Sequence, residues 1–313
     1  MELSVLLMEQ IAVLFVIAAI GCLVVRKGFL KEEDSKVLSW LAAYVLSPCV
    51  IIRAFEMEYT PEKLKGLCLA AVVAAVIYLV YIAAAKLLAK PLHLSRVEQA
   101  SVIYSTCGHL IIPLVSFALG DEWVFYTSAY VMVSNVATWT HMVALVSGEG
   151  MKNNVGKILK NPNIISIFIG LFLFFSGVRI PEVVARSLDG LGNSIGPITM
   201  FVVGMMIGNK NLKAVFVEKK AYLISLLRLV VFPAVTAVFL AAIVRMGIHP
   251  EAQQILLVTL LAACAPVAVM ITQLAILHDA DAEYAGVINI MSVCFCIITM
   301  PLMTFFYSFL CGI

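Results

Sequence analysis

Residues 104–114 read YSTCGHLIIPL. The stretch lies inside a long apolar segment, yet it contains Ser105, Thr106, His109 and Pro113. Proline removes a backbone hydrogen-bond donor and clashes with the preceding turn, so it kinks or interrupts a helix. Polar side chains beside an interruption can bind the freed backbone groups or a ligand. The stretch therefore predicts a broken helix with a polar site inside an apolar segment.

The composition indicates a membrane protein. Of the 313 residues, 63% are hydrophobic and 13% are charged, and the mean hydropathy is +1.05. Soluble domains average about 45–50% apolar and about 25% charged residues. We therefore expect an all-α polytopic membrane protein. The net charge of +2 gives no reason to expect a nucleic-acid partner, and the eight cysteines have no metal-ligand spacing, so no metal or cofactor is predicted.

About 20 apolar residues suffice to cross a bilayer as a helix. The chain contains ten such stretches, at residues 4–25, 37–56, 66–89, 99–119, 122–147, 162–178, 190–208, 219–245, 253–277 and 283–311. A hydrophilic linker, residues 148–161, separates a first unit of five spans (1–147) from a second unit (162–313). The linker ends in Asn161-Pro162, which predicts a helix with Asn as its N-cap.

Lysine and arginine residues predict the orientation. Cytoplasmic loops carry an excess of these residues. If both termini lie outside, 14 of the 21 fall in or beside cytoplasmic loops and five in outer loops. The sequence therefore predicts both termini outside and the linker in the cytoplasm.

The two units resemble each other. A shift of 149 positions aligns Gly21 with Gly170 and Pro48 with Pro197, a shift of 153 aligns Pro113 with Pro266, and a shift of 154 aligns Asn135 with Asn289. An odd number of spans in each unit requires the second to enter the membrane from the opposite side. Such inverted repeats are typical of secondary transporters, whose substrate site lies near the midplane between interrupted helices. We therefore predict that spans four and nine break at Pro113 and Pro266 and cross there.

Polar residues near these prolines are the candidate substrate-binding groups. Half-helix N-termini carry partial positive charge and suit an anion. Because no Asp or Glu lies deep in a predicted span, an anionic or neutral substrate is favoured over a cation. Each candidate has an alternative role in packing or interhelix hydrogen bonds. The candidates are Ser105, Thr106, Gly108, His109, Asn135, Thr272, Gln273 and Asn289.

Arg228 is a charge well inside span eight. A buried intramembrane charge needs a partner or marks a pathway. The sequence leaves two interpretations, a buried partner or a side chain that snorkels to the headgroups.

Several segments are similar to the auxin efflux carrier family, and the similarity covers essentially the whole chain. They are STCGHLIIPLVSFALGDEWVFYTSAYVMVSN, the linker stretch NPNIISIFIGLFL, GPITMFVVGMMIG in span seven, RLVVFP in span eight and APVAVMITQLA in span nine.

This resemblance implies a bacterial relative of plant auxin carriers with the fold of bile-acid sodium symporters. Spans one, two, six and seven would form a scaffold, and the others a transport domain that moves as an elevator. The substrate would be a small mono- or dicarboxylate, auxin-like or malate- or malonate-like, bound by Thr106, Asn135 and Ser47. Transport would take place in the cytoplasmic (inner) membrane, driven by membrane potential or coupled to H⁺ or Na⁺. The resemblance leaves open whether the protein forms a homodimer.

Three function classes remain in view. The leading one is a secondary carrier, and the alternative is an anion channel or a membrane sensor of the same fold. An intramembrane enzyme would need a nucleophile–base pair. Ser105, Cys107 and His109 are the local candidates for such a pair, and no second cluster supports them, so no enzyme is predicted.

The resemblance generates one prediction for His109. Many relatives have Asn at the position of Thr106, so this chain has a hydroxyl in place of an amide with two donors. We predict that His109 supplies the missing donor. Transport by His109→Ala should then fall below that of the wild type, with a different pH profile between about pH 5.5 and 8, within the range where histidine titrates. Equal transport across this range contradicts the role.

Overall fold

The computed structural model describes residue 13 and residues 16–148, 159–208, 216–278 and 280–312. Side chains at positions 32, 43, 107–109, 117, 207, 273, 276 and 277 are outside this description. In the described part the regular structure is helical. The helices are α1 (Val16–Arg26), α2 (Ser35–Phe55), α3 (Pro61–Ala89), α4 (Arg96–Ile103), α5 (Cys107–Leu119), α6 (Asp121–Ser147), α7 (Pro162–Ser176), α8 (Glu182–Gly192), α9 (Ile195–Gly208), α10 (Lys219–Arg245), α11 (Ala252–Ala263), α12 (Val269–Leu277) and α13 (Ala282–Cys311).

Five of these helices are long and apolar enough to cross a membrane: α2, α3, α6, α10 and α13. The all-helical membrane fold is therefore confirmed at this coarse level. Two of the other predicted spans, the fourth and the ninth, each consist of two consecutive shorter helices, whereas the seventh corresponds to α9 and the last residues of α8. The number of ten spans, the inverted repeat and the unit boundaries stay predictions, and most of the linker lies outside the described residues.

Local sequence signals define several helix starts. Thr60, Asn161 and Asp281 accept a backbone N–H with their side chains at the starts of α3, α7 and α13. Ser95 and Glu98 form a reciprocal capping box at the start of α4. The start of α7 at Asn161-Pro162 is therefore confirmed.

The helices pack in two groups. In the first, α2 contacts α7, α8 and α9, and α1 lies against α9. In the second, α6 packs on α3, α5 and α11, while α13 packs on α10, α11 and α12. Contacts of α2 with α6 and of α9 with α5 join the groups.

Three of the described helices contain a π-helical turn, at Ala42–Leu46 in α2, Thr138–Met142 in α6 and Leu227–Val231 in α10. Such turns widen a helix locally and often occur at functional sites. Two of them contribute side chains to the large cavity described below, and the third contains Arg228.

Glycines allow α1 and α9 to approach closely. A Cβ atom on Gly204 would lie 1.8 Å from the carbonyl oxygen of Ala18, and one on Gly21 would lie 2.2 Å from that of Phe201. Membrane helices use small residues in this way because it brings their backbones into van der Waals contact.

We predict that Gly204→Ala destabilises the protein by about 1–3 kcal/mol, since the added methyl group must separate two backbones. Gly286→Ala in α13 is the matched control, because a Cβ there meets nothing within 4 Å. Thermal unfolding in detergent should show a lower Tm for Gly204→Ala and an unchanged or higher Tm for Gly286→Ala, since alanine favours helix. Equal Tm values would contradict the close packing.

Candidate functional site

The fourth predicted span consists of α4 and α5, and the ninth consists of α11 and α12; we call them segments four and nine. The backbones of the two segments contact each other where each is interrupted. The N–H of Thr106 donates to the carbonyl oxygen of Pro266 at 3.0 Å, and the N–H of Ala268 donates to that of Tyr104 at 3.1 Å. Ser105 and Val267 are thereby paired in antiparallel fashion, as in a β-bridge. Two short extended segments between half-helices thus replace the helical hydrogen bonds that each interruption removes.

The position of the first interruption differs from the prediction. Pro113 lies inside α5, and the break lies at Tyr104–Thr106, about two helical turns earlier. The predicted break at Pro113 is therefore corrected, whereas Pro266 lies within the break of the ninth segment. A proline removes only one donor, and α5 continues past it; the break lies where other groups bind the freed backbone.

Arg228 supplies many of these bonds. Its side chain is 0% exposed, so the snorkelling interpretation is wrong. Nη1 donates to the carbonyl oxygens of Val102 (3.4 Å) and Ile103 (3.2 Å), Nη2 to those of Ala263 (2.9 Å) and Ala265 (3.1 Å), and Nε to that of Ala265 (3.2 Å). These carbonyls end α4 and α11, where a helix lacks intrahelical partners and carries partial negative charge.

Other side chains complete the second interruption. Ser105 Oγ donates to the carbonyl oxygen of Ala262 at 3.2 Å. Asn289 Nδ2 donates to that of Val267 at 2.7 Å, and Ser292 Oγ accepts the N–H of Val267 at 3.0 Å. Asn289 is 4% exposed. It therefore has the interhelix bonding role that the sequence left open, in addition to its place beside the cavity.

A cavity of about 1,230 Å³ borders both interruptions. Side chains of α2, α5, α6, α7, α9, α12 and α13 line it. Five residues singled out from the sequence are among the lining groups: Ser105, Thr106, Asn135, Pro266 and Asn289.

The remaining predicted residues are placed differently. Ser47 is fully buried, its Oγ has no hydrogen-bond partner, and it is not among the residues that line this cavity. Thr272 is half-buried and also outside the lining. Gly108, His109 and Gln273 lie in α5 and α12, but their side chains are outside the described part.

The cavity also includes residues that the sequence did not suggest for a site, among them Lys31, Lys36, Asn161 and Thr199. Asn161 caps α7 as predicted, and its Nδ2 also donates to Asn135 Oδ1 at 3.0 Å. Asn135 Nδ2 in turn donates to the carbonyl oxygen of Val131 at 2.9 Å. In the sequence, Lys31 and Lys36 served only to predict the membrane orientation. No local sequence signal shows that these lysines line the same cavity as residues of α5 and α13.

The electrostatics of the cavity wall favour an anion. Helices α5 and α12 begin beside it, and neither Thr106 nor Ala268 caps the first turn with a side chain. First-turn N–H groups lack intrahelical partners and carry partial positive charge. The charged residues in the lining are Lys31, Lys36 and Glu33, two cations and one anion. Among the described residues, no three His, Cys, Asp or Glu side chains are grouped as metal ligands.

A second, smaller cavity of about 250 Å³ lies further along α5. Pro113 and Ser116 of α5 face Gly192, Asn193 and Ile195 across it. The large cavity reaches Leu110 on α5 and Thr199 on α9, so about one helical turn separates the two cavities along either helix.

We predict that Asn289→Leu destabilises the protein by about 1–3 kcal/mol, because the buried Val267 carbonyl loses its donor. Thr299→Val on the same helix is the control, since the Thr299 hydroxyl only donates to Phe295 O within α13. Thermal unfolding should give a lower Tm for Asn289→Leu than for the wild type. The free energy of unfolding of Thr299→Val should lie within about 0.5 kcal/mol of the wild-type value. A wild-type Tm for Asn289→Leu would show that the hydrogen bond to Val267 contributes nothing to stability.

Comparison with known proteins identifies the family of the chain. The model of the family described as membrane transport protein matches residues 6–304. An uncharacterized transporter of Methanocaldococcus jannaschii is 23% identical over 288 residues, which cover 88% of this chain and 90% of that protein. The match to the family model spans nearly the whole chain, including both interrupted segments. The chain belongs to this membrane transport protein family, the auxin efflux carrier family.

Proposed function

We propose that the protein is a secondary active carrier of a small organic anion, a mono- or dicarboxylate, bound where segments four and nine cross. The observation that carries the proposal is the large cavity beside the uncapped first turns of α5 and α12. Thr106 and Asn135 would contact the carboxylate from two neighbouring walls. Backbone N–H groups at helix N-termini are suited to bind carboxylate oxygens.

The charge distribution supports an anion over a cation. The carbonyl oxygens at the C-terminal ends of α4 and α11 accept hydrogen bonds from Arg228, whereas the N-terminal ends of α5 and α12 lie beside the cavity. Lys31 and Lys36 add positive charge to the lining. Basic groups at a concave site raise the local concentration of anions.

The two cavities support alternating access. By the orientation predicted from lysine and arginine, the large cavity opens to the cytoplasm and the small one lies toward the outside. Ile111 and Ile112 on α5 are fully buried between them. In an elevator movement, the group formed by α3–α6 and α10–α13 would slide against α1, α2 and α7–α9, and α5 would move along α9.

We place the protein in a bacterial cytoplasmic (inner) membrane with both termini outside. The driving force would be membrane potential or coupling to H⁺ or Na⁺. A channel or a sensor of the same fold is the alternative, and flux measurements distinguish the three.

The test is counterflow in proteoliposomes with labelled mono- and dicarboxylates. A carrier gives saturable uptake that is accelerated by unlabelled substrate on the other side of the membrane. Linear, non-saturating flux would indicate a channel, and binding without flux a sensor. Either outcome contradicts the carrier proposal.

A double variant tests whether Lys31 and Lys36, which line the large cavity, attract the anion. We predict that Lys31→Gln/Lys36→Gln raises KM severalfold, because two charges beside the cavity are lost, and that added salt reduces the difference. Lys90→Gln is the control, since Lys90 is exposed and does not line the cavity. An unchanged KM in the double variant would remove the lysines from the mechanism.

A further inference from the structure

Arg228 is an unusual buried charge because its partners in the described part of the chain are backbone carbonyls. Among the described residues, no Asp or Glu forms an ion pair with it. Its five hydrogen bonds match the five N–H donors of a guanidinium, and the acceptor of each is a backbone carbonyl. The Tyr81 ring, 5.9 Å from Cζ, adds a cation–π contact.

These carbonyls belong to both interrupted segments. Val102 and Ile103 end α4, while Ala263 and Ala265 lie at the end of α11. Two helix C-termini that point at one place repel each other through their partial negative charges. A positive charge between them offsets this repulsion and bonds the orphan carbonyls.

In secondary transporters, half-helix C-terminal ends and unwound carbonyls coordinate the Na⁺ that drives transport. We propose that Arg228 is a built-in cation that takes the place of such an ion at this crossing. The guanidinium satisfies both helix ends at once, is always charged and cannot dissociate during a transport cycle.

Two consequences follow. The crossing is stable without Na⁺, and the anion is not coupled to a Na⁺ gradient through these carbonyls. The position also requires arginine. A lysine ammonium has three donors on one atom and cannot reach acceptors on two segments as a planar fork does.

The proposal goes beyond the carrier function, and its main test does not use a substrate. Thermal unfolding in detergent is measured for the wild type in NaCl and in choline chloride of equal ionic strength. We expect the same Tm in both. A saturable increase of the wild-type Tm with Na⁺ that is as large as the increase in Arg228→Ala overturns the proposal, whatever the protein transports.

Arg228→Ala supplies the second measurement. We expect Tm to fall by roughly 10 °C, because four buried carbonyls lose their donors. Guanidinium or ethylguanidinium at millimolar concentration, or Na⁺, should raise the Tm of this variant, since the vacated space accepts a cation. Arg245→Ala is the control on the same helix, because Arg245 is exposed and donates to a single backbone carbonyl among the described residues, that of Leu310. The Tm of this variant should respond to none of these ions.

The variants also define the contrary results. If no cation raises the Tm of Arg228→Ala, the arginine has only a packing role, and the proposal that it takes the place of a bound cation is overturned. If Arg228→Ala does not fold, Arg228→Lys replaces it, with an expected Tm below the wild type, because one ammonium cannot bond the carbonyls of both helix ends. A wild-type Tm for Arg228→Lys also overturns the proposal. Uptake in Na⁺-free proteoliposomes then tests the coupling, separately from substrate identity.

Discussion

The structure depends on one constraint, that every buried backbone carbonyl inside an apolar segment needs a donor. Two interrupted segments leave several carbonyls without helical partners. Arg228 bonds four of them at the C-terminal ends of α4 and α11, Thr106 and Ala268 pair the extended backbones, and Asn289 bonds Val267. An unpaired group would cost several kcal/mol in such surroundings. These bonds together make two broken helices stable.

The same arrangement separates the charges of the half-helices. The negative ends share one buried guanidinium, and the positive ends of α5 and α12 remain beside the cavity. The cavity wall therefore carries partial positive charge at these two helix ends. The π-helical turns in α2 and α6 both contribute lining residues to this cavity.

The break in segment four shows the limit of interpretation by proline. Pro266 lies within the break of segment nine, yet Pro113 lies inside α5. The pairing of Ser105 with Val267 corresponds to a shift of 162 positions, not the 153 that aligns the prolines. The polar run before Pro113 was the better signal, because Ser105 and Thr106 bond the other segment directly.

Apolar periodicity, helix caps and turn residues act within a few positions of the chain. The sequence by itself therefore determined the all-helical membrane fold, the helix start at Asn161 and the polar character of residues 104–106. Only the tertiary structure decided the partners of Arg228, the exclusion of Ser47 from the cavity and the inclusion of Lys31. The physical reason is distance along the chain. The donors that bind the break of segment four come from residues more than a hundred positions away, and those of segment nine come from other helices as well. Local signals cannot specify which ones meet.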